Sequence, residues 1–178
     1  ENTPGNGFVR SLVEYGFAGD IYPVNPKHEI IAGLRAYKSI REVEGNVDYV
    51  ISSIPASGVL EMIGDCAQKG VKAIHLFTAR FGETGRPEAA ALEKKVLDAA
   101  GDAGIRLIGP NCMGLFYPAK GISFSDALPH QDGRTGFLSQ SGQMAEDVGR
   151  YAALRGVFFS KAVRYGNAID FNEGDFLE

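Results

Sequence analysis

Two glycines near the start of the chain stand just ahead of an amphipathic segment. Gly5 and Gly7 carry no side chain, so the backbone of residues 2–7 can approach a ligand closely. Residues 8–15 are predicted to start a helix whose free N–H groups and dipole would face a phosphate. The spacing is not the complete G-x-G-x-x-G fingerprint, and taken alone it is better explained as an ordinary turn between a strand and a helix.

A lysine follows these glycines at the distance where dinucleotide-binding folds recognise a ribose. The apolar run 21–24 ends in Asn25, Pro26 and Lys27, about 20 residues after the glycines. A site for NAD would need a carboxylate here, and Lys27 instead offers a point charge suited to phosphate. This favours an adenosine ligand with an additional phosphate, a property that CoA and NADP share. A solvated lysine beside a proline turn explains Lys27 equally well.

Two short motifs follow other apolar runs and would lie at the carboxyl edge of a parallel sheet, where open α/β folds bind ligands. Ile54 and Pro55 follow one run, and Pro55 fixes a turn that can wall a slot for adenine or pantetheine. Phe77 and Thr78 follow the next, and the Thr78 hydroxyl can hydrogen-bond a ligand. Arg80 can meet a phosphate, although a solvated arginine is the commoner outcome.

Two further turns carry polar or sulfur-containing side chains. Residues 109–114 hold Asn111 between proline and glycine, and Cys112 is interpreted as a small buried side chain because no histidine accompanies it in sequence. Ser141 is predicted to cap a helix that begins with Gly142, where free N–H groups would form an anion seat. Alone, this second motif indicates only a capped helix. Neither the cysteines nor the histidines have metal-ligand spacing, so we expect no metal site.

The elements that must position these residues alternate short apolar runs with longer amphipathic ones, which indicates an α/β fold with a parallel sheet. The predicted strands are 21–24, 47–54, 71–77 and 105–108, then 135–139 and 157–163, with a short one at 122–124. The predicted helices are 57–69, capped by Ser57 and ended by Gly70, 87–103, and 141–154 with a buried face of Met144, Val148 and Tyr151. A further helix is expected to begin at 172–178.

Composition excludes several classes of protein. The 178 residues carry a net charge of −4, so we expect no nucleic-acid partner. No apolar run reaches the roughly 20 residues of a membrane span, and the two cysteines fit a reducing cytoplasm. No strand precedes the glycine-rich turn, and one strand–helix–strand unit after residue 134 cannot bury a core on both faces. We therefore expect the sequence to be part of a longer chain.

Three motifs, taken in this order and spacing, resemble the ADP-forming acyl-CoA synthetases, which include acetyl-CoA synthetase (ADP-forming) and the α subunit of succinyl-CoA synthetase. They are residues 21–27, residues 109–114 and residues 139–142, and the resemblance extends over nearly the whole chain. It implies a Rossmann-type CoA-binding domain over residues 1–128 and the beginning of a flavodoxin-like domain over residues 134–178. The implied reaction converts acyl-CoA, ADP and phosphate to acid, CoA and ATP through an acyl phosphate and a phosphohistidine.

The resemblance also implies which residues touch the ligands. The CoA-binding set would be Asn2, Thr3, Pro4, Gly5, Asn6, Gly7, Asn25, Pro26, Lys27, Ile54, Pro55, Phe77 and Thr78. The set facing phosphate or the phosphohistidine would be Asn111, Cys112, Ser141 and Gly142. Coenzyme A is the implied cofactor of this chain, while ATP or ADP with Mg²⁺ belongs to the full-length enzyme.

The sequence departs from the family pattern in what it lacks. In the family, the phosphorylated histidine lies in a Gly-His loop, and none of the three histidines of this sequence lies in such a loop. No catalytic residue is therefore assigned, and the chain alone is expected to be inactive. The implied partner is the ATP-grasp domain or subunit of the same enzyme, in an oligomer, and the acyl substrate stays open. Two alternatives remain: a noncatalytic CoA-binding regulatory module, and an NAD(P) oxidoreductase, which the missing carboxylate after Val24 disfavours.

Overall fold

The computed structural model describes residues 3–177 of the chain. The elements in chain order are α1 (Pro4–Glu14), β1 (Ile30–Ile31), β2 (Leu34–Arg35), β3 (Tyr49–Ser52), α2 (Val59–Lys69), β4 (Ala73–Leu76), α3 (Pro87–Asp102), β5 (Arg106–Ile108), β6 (Gly114–Phe116), β7 (Thr135–Ser139), α4 (Gly142–Ala153) and β8 (Phe159–Arg164). They form two compact units. Unit 1 comprises Glu1–Ser39 and Gly114–Arg164, and unit 2 comprises Ile40–Met113 and Tyr165–Glu178.

Unit 2 is built on a parallel sheet in the order β3-β4-β5. The register aligns Val50 with Ile74 and Ile74 with Leu107, so these side chains share one face of the sheet. That face packs with Ile63 of α2 and Val96 of α3 in one continuous core. Full burial of Ile63, Ile74, Val96 and Leu107 stabilises the fold by about 1.5–3 kcal/mol for each side chain.

The last segment of the chain covers the outer edge of β5. The N–H groups of Ile169 and Phe171 donate to the carbonyls of Gly109 and Leu107. Asp170 accepts from the Arg106 guanidinium at 3.0 Å and from the Leu107 N–H at 2.7 Å, while the Phe171 ring centre lies 3.8 Å from the guanidinium carbon. A strand edge that would otherwise present unpaired backbone groups is therefore bonded along its length.

Unit 1 contains a smaller mixed sheet in the order β6-β8-β7, with β7 parallel and β6 antiparallel to β8. Helix α4 joins β7 to β8 and buries Ala145 and Gly149. A Cβ on Gly149 would lie 2.6 Å from the Leu128 side chain, so glycine permits a close approach here. The Tyr15 hydroxyl donates to the carbonyl of Leu128 at 2.5 Å, which ties the end of α1 to the polar segment that precedes β7.

Most of the predicted elements are confirmed. Strands β3, β4, β5, β7 and β8 lie within the predicted runs or within one residue of them, and α2, α3 and α4 match the predicted helices to within two residues. Gly70 ends α2 in the left-handed conformation, with φ 73°. Pro87 occupies the first turn of α3, where its missing N–H costs nothing.

Four details of the predicted elements are wrong. Residues 21–24 form only an isolated bridge between Val24 and Tyr37, because Pro23 has no N–H to donate to a ladder. The predicted strand at 122–124 is likewise one bridge, and the strand in this region is β6. Residues 173–177 form turns rather than a helix. Ser57 lies in a 3-10 turn, and Gly58 takes the N-cap position of α2.

The predicted buried face of α4 is also wrong. Met144 is 57% exposed, Val148 37% and Tyr151 63%, while the residues that pack on the sheet are Ala145 and Gly149. The described structure thus turns the small residues of α4 toward the sheet of unit 1 and leaves its large apolar side chains on the surface. Among the described residues, no helix is long and apolar enough to span a membrane.

Both cysteines are inaccessible, and this predicts their reactivity. Cys66 is 0% exposed and Cys112 is 1% exposed, and burial raises the pKa of the Cys66 thiol to about 12. Since the thiolate is the reactive form, neither cysteine should react with DTNB in the folded chain at about pH 8, and both should react in guanidinium chloride. If the folded chain reacted rapidly with DTNB and this reaction were lost in Cys112→Ala, the turn over residues 109–114 would have to open.

Candidate functional site

In unit 2 the segments that follow β3, β4 and β5 meet at the carboxyl edge of the sheet. The Phe77 N–H donates to the Ser52 carbonyl at 3.0 Å. The Thr78 hydroxyl donates to the Ile54 carbonyl at 2.6 Å, and the Asn111 N–H donates to the Thr78 carbonyl at 3.0 Å. The structure therefore brings together Ile54, Phe77, Thr78 and Asn111, which the sequence placed on separate loops.

This edge presents apolar surface to a ligand. Ile54 is 38% exposed and Pro55 is also exposed, whereas Thr78 is only 7% exposed. The Thr78 hydroxyl donates its proton to the Ile54 carbonyl, so it can serve a ligand only as a hydrogen-bond acceptor. An exposed isoleucine next to a proline, bordered by fixed backbone, is suited to an adenine ring or an alkyl-amide chain.

Asn111 and Cys112 occupy the turn after β5 but lie in different environments. Asn111 is exposed with φ 57°, and its amide nitrogen lies 3.5 Å from Oδ1 of Asn167. The Cys112 sulfur lies 3.6 Å from the Leu76 carbonyl and 3.5 Å from the Ile108 carbonyl. The structure thus places Cys112 as a small core side chain and leaves Asn111 as the polar group at the edge.

Sequence reasoning missed a carboxylate that organises the loop after β4. Glu83 accepts from the backbone N–H of Arg80 at 2.5 Å, from that of Phe81 at 3.0 Å, and from the Asn167 amide at 3.0 Å. Glu93 accepts from the next N–H, that of Gly82, at 3.1 Å. The available signals were an acidic residue shortly after a strand-end turn, and the Gly166–Asn167 pair, which is typical of turns.

The glycine-rich segment of unit 1 is helical, which corrects the prediction of a turn over residues 2–7. Helix α1 begins at Pro4, with Thr3 as N-cap and its hydroxyl accepting from the Asn6 N–H at 3.4 Å. An N-cap threonine followed by proline at the first helical position is a strong start signal, and it outweighs the roughly 1 kcal/mol that each helical glycine costs. Gly5, Asn6 and Gly7 therefore lie in the first turns of α1, and Asn2 lies outside the described residues.

The first turns of α1 can still be approached by an anion, because the space beside them is open. A Cβ added at Gly7 would meet no atom within 4 Å, so a ligand can approach the backbone there. In the first turn Pro4 has no N–H and the Asn6 N–H donates to the Thr3 hydroxyl, so the Gly5 N–H and the helix dipole are what favour a negatively charged group.

Asn25, Pro26 and Lys27 form a fixed turn in the same unit. The Asn25 side chain accepts from the Lys27 N–H at 2.9 Å, and the Asn25 N–H donates to the Tyr37 carbonyl at 2.8 Å. These bonds hold the backbone on both sides of Pro26. The Lys27 side chain is exposed, as an ammonium that meets a phosphate must be.

Ser141 and Gly142 begin helix α4, as predicted. Ser141 is the N-cap, but its side chain makes no capping bond; its N–H donates instead to the Ser139 hydroxyl at 3.1 Å. A Cβ on Gly142 would overlap a terminal nitrogen of Arg164, so the guanidinium occupies the space beside this glycine. Arg164 was not identified from sequence, because it is the last residue of a strand and nothing in the pattern links it to residue 142.

Comparison with known families identifies two parts of the chain. Residues 1–118 match the family described as CoA binding domain, and residues 132–178 match the family described as succinyl-CoA ligase like flavodoxin domain. The chain is 35% identical over 169 residues to the α subunit of acetate–CoA ligase [ADP-forming] II of Pyrococcus furiosus, covering 95% of this chain and 36% of that protein. It is 36% identical to acetate–CoA ligase [ADP-forming] of Methanocaldococcus jannaschii, covering 100% of this chain and 25% of that protein.

A solved structure gives the same result. The acetyl-coenzyme A synthetase 1 of Candidatus Korarchaeum cryptofilum, described as dinucleotide forming and in complex with phosphate and ADP, superposes with a TM-score of 0.89 at 32% identity. The match covers 99% of this chain and 38% of that one, so this chain spans about two fifths of its length. The fold is therefore a Rossmann-like CoA-binding domain followed by the start of a flavodoxin-like one, and the chain belongs to the ADP-forming acyl-CoA synthetase family.

Proposed function

We propose that this chain is the CoA-binding portion of an ADP-forming acid–thiol ligase, which converts acyl-CoA, ADP and phosphate into acid, CoA and ATP. The observation that carries the proposal is the carboxyl edge of unit 2. There, the Thr78 hydroxyl and carbonyl link the loops after β3 and β5, and Ile54 and Pro55 stay exposed. The match of residues 1–118 to the CoA binding domain family supports CoA as the ligand class.

CoA carries groups suited to the candidate residues of each unit, taken separately. Its adenine and pantetheine present flat and alkyl surface suited to Ile54 and Pro55. Its pyrophosphate is the kind of group that the N-terminus of α1, residues 3–7, would attract. Its ribose 3′-phosphate distinguishes it from NAD, and Lys27 is the exposed cation that we assign to this phosphate.

The N-terminus of α4 is the part of the proposal that concerns phosphate. Ser141 is the N-cap of a 12-residue helix whose first residue is Gly142, and the Arg164 guanidinium lies against Gly142. A guanidinium and the positive end of a helix dipole both attract anions. A phosphoryl group is such an anion, which supports the assignment of these residues to the phosphate side of the reaction.

The remaining steps are proposed to occur outside this chain. The phosphorylated histidine and the ATP-grasp domain or subunit belong to the complete enzyme, which we propose to be an oligomer in the cytoplasm. Mg²⁺ would accompany ADP there. Among the described residues, no group of three or more His, Cys, Asp or Glu side chains could hold a metal ion. The role of the chain described is to bind and orient CoA and to provide one phosphate-facing helix.

Calorimetric titration of the chain tests the ligand class. We expect CoA to bind, and NAD and NADP to bind much more weakly. Lys27→Ala should weaken CoA roughly tenfold, as expected for one charge-assisted contact, and should leave dephospho-CoA unaffected. Lys95→Ala, an exposed lysine on α3, is the matched control.

Other outcomes of this titration have defined meanings. A preference for NADP over CoA would overturn the ligase proposal in favour of an oxidoreductase. Equal losses for CoA and dephospho-CoA in Lys27→Ala would move the lysine from the 3′-phosphate to the pyrophosphate.

Gly142→Ala tests the phosphate seat on α4. The new methyl group would displace the Arg164 guanidinium, which is the mobile end of a long side chain, so the melting temperature should change little. Inorganic phosphate, titrated while amide resonances of residues 141–144 are followed, should bind several-fold more weakly than to the unmodified chain. Gly136→Ala is the control, since a Cβ there meets no atom within 4 Å. Unchanged phosphate affinity in Gly142→Ala would contradict the seat.

A further inference from the structure

Three backbone segments of unit 2 meet around one carboxylate and one amide. They are residues 80–83 after β4, residues 109–112 after β5, and residues 165–169 near the end of the chain. The first two lie at the edge proposed to bind CoA. The third belongs to the part of the sequence that matches the succinyl-CoA ligase like flavodoxin domain.

The bonds between these segments form a connected path. Glu83 accepts from the N–H groups of Arg80 and Phe81 and, through Oε2, from the Asn167 side-chain amide at 3.0 Å. The Asn167 side-chain oxygen accepts from the Asn111 amide at 3.5 Å. The Asn167 backbone N–H donates to the Pro110 carbonyl at 3.0 Å. Asn167 is therefore bonded on one side to the loop after β4 and on the other to the loop after β5.

Backbone strain is concentrated at the same place. Arg80, Asn111 and Ala168 adopt φ values of 75°, 57° and 54°, in the left-handed region that non-glycine residues rarely occupy. Such backbone conformations persist only where surrounding bonds hold them. Each of the three lies in one of the segments that the Glu83–Asn167 pair connects.

We infer that Glu83 and Asn167 are positioning residues that set the conformation of the CoA edge, namely residues 77–80 and 110–112. This inference rests on the proposed function, because it gives the pair a role toward the ligand of that site. Glu83 fixes the turn that carries Thr78 and Arg80, and Asn167 sets the distance from that turn to Asn111. Neither side chain needs to touch CoA to affect its binding.

The pair can be tested by exchanging which side chain donates the hydrogen bond and which accepts it. Glu83→Gln puts an amide opposite the Asn167 amide, so two donors face each other, and Asn167→Asp puts a carboxylate opposite the Glu83 carboxylate. The double variant restores a bond, because the introduced glutamine amide can donate to the introduced aspartate carboxylate, which can still accept from Asn111. Each single change should weaken CoA binding roughly tenfold. The double variant should recover part of that loss, because the introduced glutamine amide group that donates to the introduced aspartate can no longer accept from the Phe81 N–H.

Calorimetric CoA affinity and melting temperature are measured for all four forms, with Glu88→Gln as the control for removal of an exposed carboxylate. Recovery of affinity in the double variant supports a positioning role. Losses that simply add, or a lowered melting temperature with unchanged CoA affinity, would overturn it and leave the pair a purely structural contact.

A second measurement separates this inference from the proposed function. The amide resonances of Arg80, Phe81 and Asn111 are recorded without ligand. The single variants should shift them, and the double variant should return the Asn111 resonance toward its original position. If the unmodified chain fails to bind CoA, the proposed function fails, and this measurement still decides whether the pair sets the loops. Resonances that do not move in either single variant would reject the inference.

Discussion

The parallel register of β3, β4 and β5 is the constraint on which the candidate site depends. Parallel pairing places the carboxyl ends of all three strands at one edge, so three loops that are far apart in sequence must meet there. The helices return the chain to the opposite edge each time, and their packing on the Ile74 and Leu107 face makes the register unique, because a slip of one residue would expose that face. Everything proposed for CoA in unit 2 follows from this arrangement.

The sequence predicted this part of the fold well because local and global preferences agree there. The runs around Ile74 and Leu107 are apolar enough to be buried strands, and Pro87 and Gly70 mark helix ends by their backbone conformations. Agreement failed where one local preference opposed another. Pro23 prevented a regular strand in an otherwise suitable run, and the Thr3–Pro4 start signal outweighed the low helix propensity of Gly5 and Gly7.

The candidate site was predictable only in part, for a physical reason. Residues such as Ile54 and Asn111 could be located because a loop after a parallel strand has a known position. Glu83 and Asn167 could not be paired, since they are 84 residues apart in sequence and no periodicity encodes such a contact. The same holds for Arg164 and its neighbour Gly142. The large side chains on α4 show a related limit, because a helical pattern identifies an apolar face without saying what covers it.

The path of the chain between the two units has a consequence for how the gene can be divided. Each unit is assembled from two separate stretches, and residues 165–178 return to unit 2 after β8 has been completed in unit 1. A shortened gene that stopped after the CoA-binding family match at residue 118 would therefore remove the bonds of Ile169, Asp170 and Phe171 along β5. It would expose an unpaired strand edge, and the truncated product would be prone to aggregate through that edge. Dividing the gene at residue 118 would thus separate the two stretches of chain that together form unit 2.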